Sequence, residues 1–275
     1  MSIKYGEDVR VPKVLYKYRD WNEGLHKDIL IKQELYFAKP STFGDIDDTR
    51  ECNLPTDYSD VNQESLHRHF YKIAERDNPN ESITRKQDFA AYWAKNSPIL
   101  DPIHRSQNEK EFIKDLDSVI GILSLSSLWN NDNLWNVFAK DGQGICVGFD
   151  GEKLFDDEEH FGTGDKVTYY EPNNIPKLTP FLLTSDDRIR QMLKVIFNLP
   201  MKYPDEKEYR ISKMNIGNRN VKIPLNIFKE VVLGYNIPDR HKTEIVNFVK
   251  QNMPTVNIFN TTMDSEGKIK RVISE

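Results

Sequence analysis

The chain contains few of the residues on which disulfide-rich proteins and zinc enzymes depend. Its 275 residues include two cysteines, Cys52 and Cys146, which lie far apart and form no C-x-x-C pair. This pattern argues against a disulfide framework and a thiolate zinc site, and it favours a reducing cytoplasm as the location. The six histidines are scattered, and His67 and His69 diverge because they are two apart on an expected helix. A zinc enzyme is therefore not indicated.

Long apolar runs and excess positive charge are also absent. No stretch of 18 consecutive apolar residues occurs, and the first residues lack the apolar segment of a signal peptide, so we expect neither membrane insertion nor export by that route. With 38 Lys and Arg against 43 Asp and Glu, the net charge of -5 argues against a broadly nucleic-acid-binding surface. The net charge does not exclude a local basic groove. No G-x-S-x-G sequence supports serine-hydrolase chemistry.

What the chain does contain is a mixture of strand-like and helix-like apolar patterns. Strands are predicted over residues 14–18, 35–38, 119–125, 144–149, 166–170, 208–213, 231–233 and 255–259. Helices are predicted over 21–33, 134–139, 185–197 with Ser185 as N-cap, and 239–252. Hydrophobic residues make up 38%, enough for a substantial core. We expect an α+β fold, a single domain over 1–275 with a mixed or antiparallel central sheet.

A change of character between residues 60 and 117 interrupts this pattern. Glycine is scarce there, charges are frequent, and apolar residues recur at three- and four-residue steps. Breaks are expected at Asn78-Pro79-Asn80 and Ser97-Pro98. The segment predicts a helical insertion of two to three helices within the single domain.

The segment from 124 to 150 has a composition that folding alone does not readily explain. Ser124 and Ser126 end a predicted strand, and Trp129 follows directly, which makes these three the candidate wall of a pocket. Trp135 and Phe138 lie three apart on a short helix and are expected in the core.

Glycines in the same segment suggest a turn. Gly142 and Gly144 lie between a predicted helix and a predicted strand, whereas a dinucleotide-binding fingerprint follows a strand and opens a helix. We therefore do not interpret them as a phosphate loop.

Five motifs together carry a resemblance. They are LYKYR at 15–19, LYFAKPSTFGDIDD at 35–48, LWNVFAKDGQGICVGFD at 134–150, EKEYRI at 206–211 and KEVVLG at 229–234. In order and spacing they resemble a bacterial domain family of unknown function. Members of that family usually carry P-x-x-F-N-D-P-x-D, and this chain lacks the Asn and the second Pro after Pro40 and Phe43, so its first loop is expected to differ in shape.

The order of these motifs is also similar, more distantly, to ADP-ribosyltransferases of the Arg-Ser-Glu type. That resemblance implies NAD as substrate, with Arg19 facing its phosphates and Ser126, or Ser124, holding the nicotinamide side. Glu208 would stabilise the oxocarbenium-like ribose, and Glu206, two positions earlier and expected on the same strand face, would orient or deprotonate the acceptor.

Aromatic residues complete the pocket that the resemblance implies. Tyr36 or Phe37, and Trp129, would stack on nicotinamide or adenine, and Tyr16 belongs to the same Tyr-x-Tyr-Arg strand. The implied role is a toxin-like or antiviral-defence effector that modifies a protein or nucleic acid, or an NAD glycohydrolase with water as acceptor. No metal is expected in this chemistry.

Each assignment has a simpler alternative. Arg19 could pair with a surface acid, the serines could bond to neighbouring backbone, and E-x-E occurs by chance in a chain with 29% charged residues.

Two further functions stay open. Asp205-Glu206-Lys207 fits the D-x-K half of a metal-dependent nuclease motif, with Asp186 and Asp187 nearby and a separate acidic cluster at Asp45, Asp47, Asp48 and Glu51. If Glu206 and Glu208 share the pocket face, Lys207 points away and that motif loses its lysine. Alternatively, the helical insertion binds a partner and the protein is a non-catalytic interaction module.

Overall fold

A computed structural model describes residues 11–43, 52–157, 161–202 and 204–273. It has an α+β fold with a mixed central sheet, as the sequence predicts. The chain divides into two compact units. The first comprises Met1–Lys39, Val119–Tyr169 and Met201–Glu275, and the second comprises Pro40–Ser118 and Tyr170–Pro200.

The strands within the described residues are β1 (Val14–Arg19), β2 (Glu34–Tyr36), β3 (Ile120–Ser126), β4 (Ile145–Asp150), β5 (Gly164–Lys166), β6 (Thr168–Tyr170), β7 (Asn198–Pro200), β8 (Glu208–Met214), β9 (Asn220–Lys222), β10 (Phe228–Leu233), β11 (Asn257–Met263) and β12 (Ile269–Ile273). Most of them belong to the first unit, and β7 belongs to the second. Eight of them form one sheet in the order β12-β11-β10-β4-β1-β3-β8-β5, and β2 pairs with β9. Only β10 and β11 in this sheet run parallel, which makes the sheet mixed.

The helices are α1 (Gly24–Ile31), α2 (Gln63–Asp77), α3 (Ile83–Asn96), α4 (Pro102–Val119), α5 (Asp132–Phe138), α6 (Gly151–Asp156), α7 (Ser185–Phe197) and α8 (Asp239–Asn252). The predictions for α7 and α8 are confirmed, with one correction. Thr184, and not Ser185, is the N-cap of α7, since its hydroxyl accepts the Asp187 N–H at 3.1 Å and Asp187 returns a bond to the Thr184 N–H.

Alternation along β1 distributes its side chains between two cores. Leu15 packs with the larger hydrophobic cluster, to which α1, α6 and α8 contribute. Tyr16 and Tyr18 belong to the cluster on the opposite side, which α5 covers with Leu134 and Trp135. This two-residue period follows from the pleat of a strand and places the two tyrosines on one face.

The second unit contains α2, α3, α4 and α7. Its first three helices are separated at the two sites where the sequence predicts breaks, and Asn62 opens α2 with a reciprocal capping box to Ser65. That residues 60–117 form an insertion within a single domain stays a prediction. Within the described residues, the helices include none that combines enough length and apolar character to cross a bilayer.

The two glycines after α5 serve different purposes. Gly142 has φ of +73°, which confirms the predicted turn. Gly144 instead permits close packing, because a Cβ there would lie 2.1 Å from the Arg19 carbonyl oxygen. A methyl group at this position has no room unless the backbone of β1 moves.

We therefore expect Gly144→Ala to destabilise the protein by about 1–3 kcal/mol, the usual cost of forcing extra atoms into a packed site. Gly217→Ala is the matched control, since a Cβ at Gly217 meets nothing within 4 Å. It should stay within about 0.5 kcal/mol of the parent. Urea denaturation measures both, and equal stabilities for the two variants would contradict the packing explanation.

Candidate functional site

The central sheet is held together weakly at one place. β1 pairs with β4 along all of Val14–Arg19, and β3 pairs with β8 along all of Ile120–Ser126. Between β1 and β3, by contrast, Tyr16 opposite Ser126 is the pair that joins the strands. Farther along, β3 bridges at Ile122 to Ala38 and not to β1, so the backbone pairing of the sheet has an opening between β1 and β3.

A cleft of about 370 Å³ lies at this opening. It is bordered by β1, by the end of β3, by α5 and by the segment that leads into β8. The residues that line it are Tyr16, Lys17, Tyr18, Ser124, Leu125, Ser126, Leu134, Phe138, Glu206 and Glu208. The structure thus brings together Tyr16, both serines and both glutamates that the sequence singled out.

Glu208 is a buried carboxylate with a fixed partner. It occupies the first position of β8, directly opposite Ser126, and is 7% exposed. The Arg210 guanidinium, 1% exposed, donates from Nε to Glu208 Oε1 at 2.7 Å. Because the two residues are two apart on one strand, they share a face. The charge-assisted bond holds the carboxylate in one orientation at the cleft.

Glu206 lines the cleft from a different element than expected. It ends a short 3-10 helix, Pro204–Glu206, and Lys207 has φ of +47°, so Glu206 and Glu208 are not consecutive residues of one strand face. That part of the prediction is wrong. The Asn133 side-chain amide donates to Glu206 Oε1 at 3.0 Å. Both carboxylates still line the cleft, while Lys207 is exposed and outside its lining.

Ser126 is engaged in structural hydrogen bonds. Its hydroxyl donates to the Glu206 carbonyl oxygen at 2.6 Å and accepts the Leu128 N–H at 3.0 Å. A hydroxyl has one proton to donate, so Ser126 has none left for a ligand. These bonds to neighbouring backbone are the simpler alternative that the sequence left open for Ser126. Its effect is to fasten the end of β3 to the segment that carries Glu206.

Lys17 is the cleft residue that the sequence reasoning missed, although it lies in the middle of the LYKYR motif. Its Nζ donates to the Ser124 carbonyl oxygen at 2.6 Å, spanning the gap where β1 and β3 are unpaired. Burial, and then the neighbouring Arg19, hold the pKa of this amine well below its usual value, against the opposing effect of Glu208. The signal available in the sequence was a lysine between two inward-facing tyrosines.

Arg19 is not among the residues that line the cleft, and its contact with the NAD phosphates stays a prediction. Its guanidinium makes a long bond, 3.4 Å, to the Tyr18 carbonyl oxygen, and burial lowers its pKa to about 10. The basic residue of β1 that lines the cleft is Lys17.

The expected stacking residues are likewise placed elsewhere. Phe37 is fully buried in the larger core, with its ring centroid 5.9 Å from that of Phe161, so it has no free face for a ligand. Tyr36 is 47% exposed on β2 and is not part of the cleft lining. Trp129 lies against the Arg271 guanidinium, 4.8 Å from its ring centroid. None of the three is positioned to stack in this cleft.

Helix α5 carries Trp135 and Phe138, which were both expected in the core. Trp135 is fully buried, as predicted, and donates from Nε1 to the Trp129 carbonyl oxygen at 2.9 Å. Phe138 is 48% exposed and lines the cleft, which corrects its assignment to the core. The two side chains lie only about 60° apart around the helix, and Phe138 is more exposed because it is the last residue of α5, beside the opening.

Tyr16 is held by a charged network on the same face of the sheet. Its hydroxyl donates to Glu230 Oε1 at 2.8 Å, and Arg271 of β12 forms an ion pair with the same carboxylate. A Cβ at Gly148, between them, would lie 2.7 Å from Glu230 Cγ. Burial, and then Glu230, raise the pKa of Tyr16, so the phenol stays protonated. The network fixes one wall of the cleft.

Two residues of the nuclease alternative, Asp205 and Lys207, are exposed and do not line the cleft. The Asp187 side chain accepts the Thr184 N–H at the start of α7. The acidic cluster at Asp45, Asp47, Asp48 and Glu51 lies outside the described residues. The nuclease alternative stays a prediction.

Comparisons with protein-family models, with curated proteins and with solved structures gave no match. What can be said about activity therefore depends on the motifs and on the geometry of the cleft.

Removal of the Ser126 hydroxyl should weaken the fold, because it leaves a carbonyl oxygen and an N–H group without partners. We expect Ser126→Ala to cost about 1–3 kcal/mol of unfolding free energy. Ser124→Ala is the matched control on the same strand face, where the carbonyl and not the hydroxyl accepts Lys17. It should cost less than about 0.5 kcal/mol. If chemical denaturation finds the two variants equally stable, Ser126 does not fasten the segment.

Proposed function

We propose that this protein is an NAD-consuming effector with chemistry like that of ADP-ribosyltransferases, acting at the cleft between β1 and β3. The observation that carries the proposal is the convergence of two carboxylates, Glu206 and Glu208, in one cleft whose walls come from distant parts of the chain. Cleavage of the bond between nicotinamide and ribose develops positive charge on the sugar. Oriented carboxylates stabilise such charge most effectively when they need not reorganise.

Glu208 has the better-fixed carboxylate of the two. Its bond to Arg210 orients one oxygen, and its position at the cleft leaves the group able to accept a ribose hydroxyl. In this role it stabilises the oxocarbenium-like sugar as nicotinamide departs. Arg210 keeps the buried carboxylate paired with a positive charge, which offsets the cost of burying it.

Glu206 is the candidate for activating the acceptor. It is more accessible than Glu208 and is held by Asn133 through one oxygen. A carboxylate at the rim can orient or deprotonate an incoming hydroxyl, amine or water. With water as acceptor the reaction is NAD hydrolysis, and with a macromolecule it is ADP-ribosylation of protein or nucleic acid. The role as a toxin or antiviral-defence effector comes from the family resemblance.

The size of the cleft limits how much of NAD it encloses. The volume of about 370 Å³ includes the open mouth of the cleft, so the protein encloses only part of a molecule as large as NAD. We therefore propose that it holds the nicotinamide and its ribose, and that the diphosphate and adenosine extend beyond the mouth. This arrangement does not require Arg19 to contact the phosphates.

A nicotinamide-release assay on the purified full chain tests this function. Wild type should release nicotinamide from NAD, and Glu206→Gln should lower the rate by about 10²-fold or more, as expected for loss of an acid-base group. Asp205→Asn is the matched control, because it removes an adjacent exposed carboxylate that does not line the cleft. It should retain wild-type activity. Glu208→Gln should also be inactive, but it removes the carboxylate charge that Arg210 faces, so its melting temperature must be measured alongside.

Three results would contradict the proposal. The first is absence of nicotinamide release by wild type. The second is equal loss in Glu206→Gln and Asp205→Asn. The third is Mg²⁺-dependent cutting of DNA or RNA that Asp205→Asn abolishes, which would favour the nuclease. Retention of a partner through residues 60–117 without either activity would favour an interaction module.

A further inference from the structure

Lys17 is the one amine among the residues that line the cleft. It projects from the middle of β1 toward the opening between β1 and β3, and it is half-buried. Its hydrogen bond to the Ser124 carbonyl oxygen holds Nζ at a defined place in the wall. A surface lysine samples many rotamers, whereas this one has a fixed reactive atom.

The charges around Lys17 favour the neutral amine. Arg19 on its own strand and Arg210 on β8 both oppose protonation, and burial opposes it more strongly than either. Glu208 on β8 and Glu206 before it act in the other direction. The result is a pKa well below the usual value for lysine. An amine that is desolvated next to other cations is the type of lysine that enzymes use as a nucleophile toward carbonyl groups.

We propose that Lys17 is a covalent site for a reducing sugar nucleotide, namely the open-chain ribose aldehyde of ADP-ribose. The choice of ligand rests on the proposed function, since cleavage of NAD with water as acceptor leaves ADP-ribose with a free anomeric carbon in this same cleft. The site itself follows from the position of the amine, which the Ser124 carbonyl oxygen holds in a cleft that two glutamates also line.

The step balances without a further reactant. The Lys17 Nζ lone pair attacks the aldehyde carbon, a C–N bond forms, and the carbonyl oxygen becomes a hydroxyl after proton transfer from nitrogen to oxygen. Glu206 relays that proton, because its carboxylate lies at the same cleft. Loss of this hydroxyl as water then gives an imine between Nζ and the sugar. The bond is reversible, and hydrolysis returns the free amine and ADP-ribose.

Reductive trapping tests this site on the full chain. The protein is incubated near pH 7 with ADP-ribose and cyanoborohydride, which reduces an imine to a stable secondary amine, and the adduct is located by mass spectrometry of peptides. At this pH an ordinary exposed lysine is neutral in roughly one molecule in 2,500. We expect Lys17 to be modified at least tenfold faster than the exposed Lys13 and Lys207, which serve as internal controls.

Two further comparisons sharpen the test. Lys17→Arg keeps a long basic side chain but cannot form the imine, so the adduct at this position should disappear while those at other lysines persist. Free ribose at the same concentration should label Lys17 at least tenfold more slowly than ADP-ribose, since it lacks the nucleotide.

The outcomes separate this site from the proposed function. Labelling spread over the lysines according to exposure, no adduct at Lys17, or equal labelling by free ribose would overturn the site. Because ADP-ribose is supplied directly, selective labelling of Lys17 in a protein that releases no nicotinamide would retain the site and remove the proposed function. Nicotinamide release without labelling of Lys17 would retain the proposed function and remove the covalent site.

Discussion

The contact on which the cleft depends is the joining of β1 to β3 at Tyr16 and Ser126. A fully paired sheet would leave no opening there, and strands without any connection would not keep the cleft walls in register. Lys17 spans the gap between β1 and β3, since its Nζ donates to the Ser124 carbonyl oxygen. The Ser126 hydroxyl joins the end of β3 to the Glu206 carbonyl oxygen in the segment before β8. Side chains thus hold together a sheet whose backbone pairing is interrupted, and the cleft lies at this interruption.

The wall on the other side of this contact is fixed by charge. Glu230 accepts from Tyr16 and pairs with Arg271, whose guanidinium lies over the rings of Trp129 and Phe259. A buried carboxylate is costly unless its partners satisfy it, and here a phenol and a guanidinium both do so. The C-terminal strand β12 is therefore linked to the cleft through one chain of contacts. Loss of any member would leave a buried polar group unsatisfied and would loosen Tyr16.

Local patterns in the sequence were sufficient for most of the fold but for only part of the site. Periodicity located the helices and strands, because an element that buries one face has apolar residues at regular intervals along the sequence. It also placed Ser126 and Glu208 on strands that prove to be neighbours. It could not show that the positive φ of Lys207 breaks the Glu206 to Glu208 spacing, or that Lys17 bridges the gap left by the missing pairs. Nor could it show that Phe37 is buried against Phe161, since that contact joins residues distant in sequence.

Amide hydrogen exchange with a non-cleavable NAD analogue tests most directly whether the junction of the sheet is the ligand site. The Ser127 N–H bonds to the Lys207 carbonyl and the Leu128 N–H bonds to the Ser126 hydroxyl, so both report on the junction itself. The account predicts that saturating analogue slows exchange in residues 124–128 and 206–208 and leaves helix α8, on the opposite face, unchanged. Unaltered exchange at the junction, or protection confined to other parts of the chain, would contradict it.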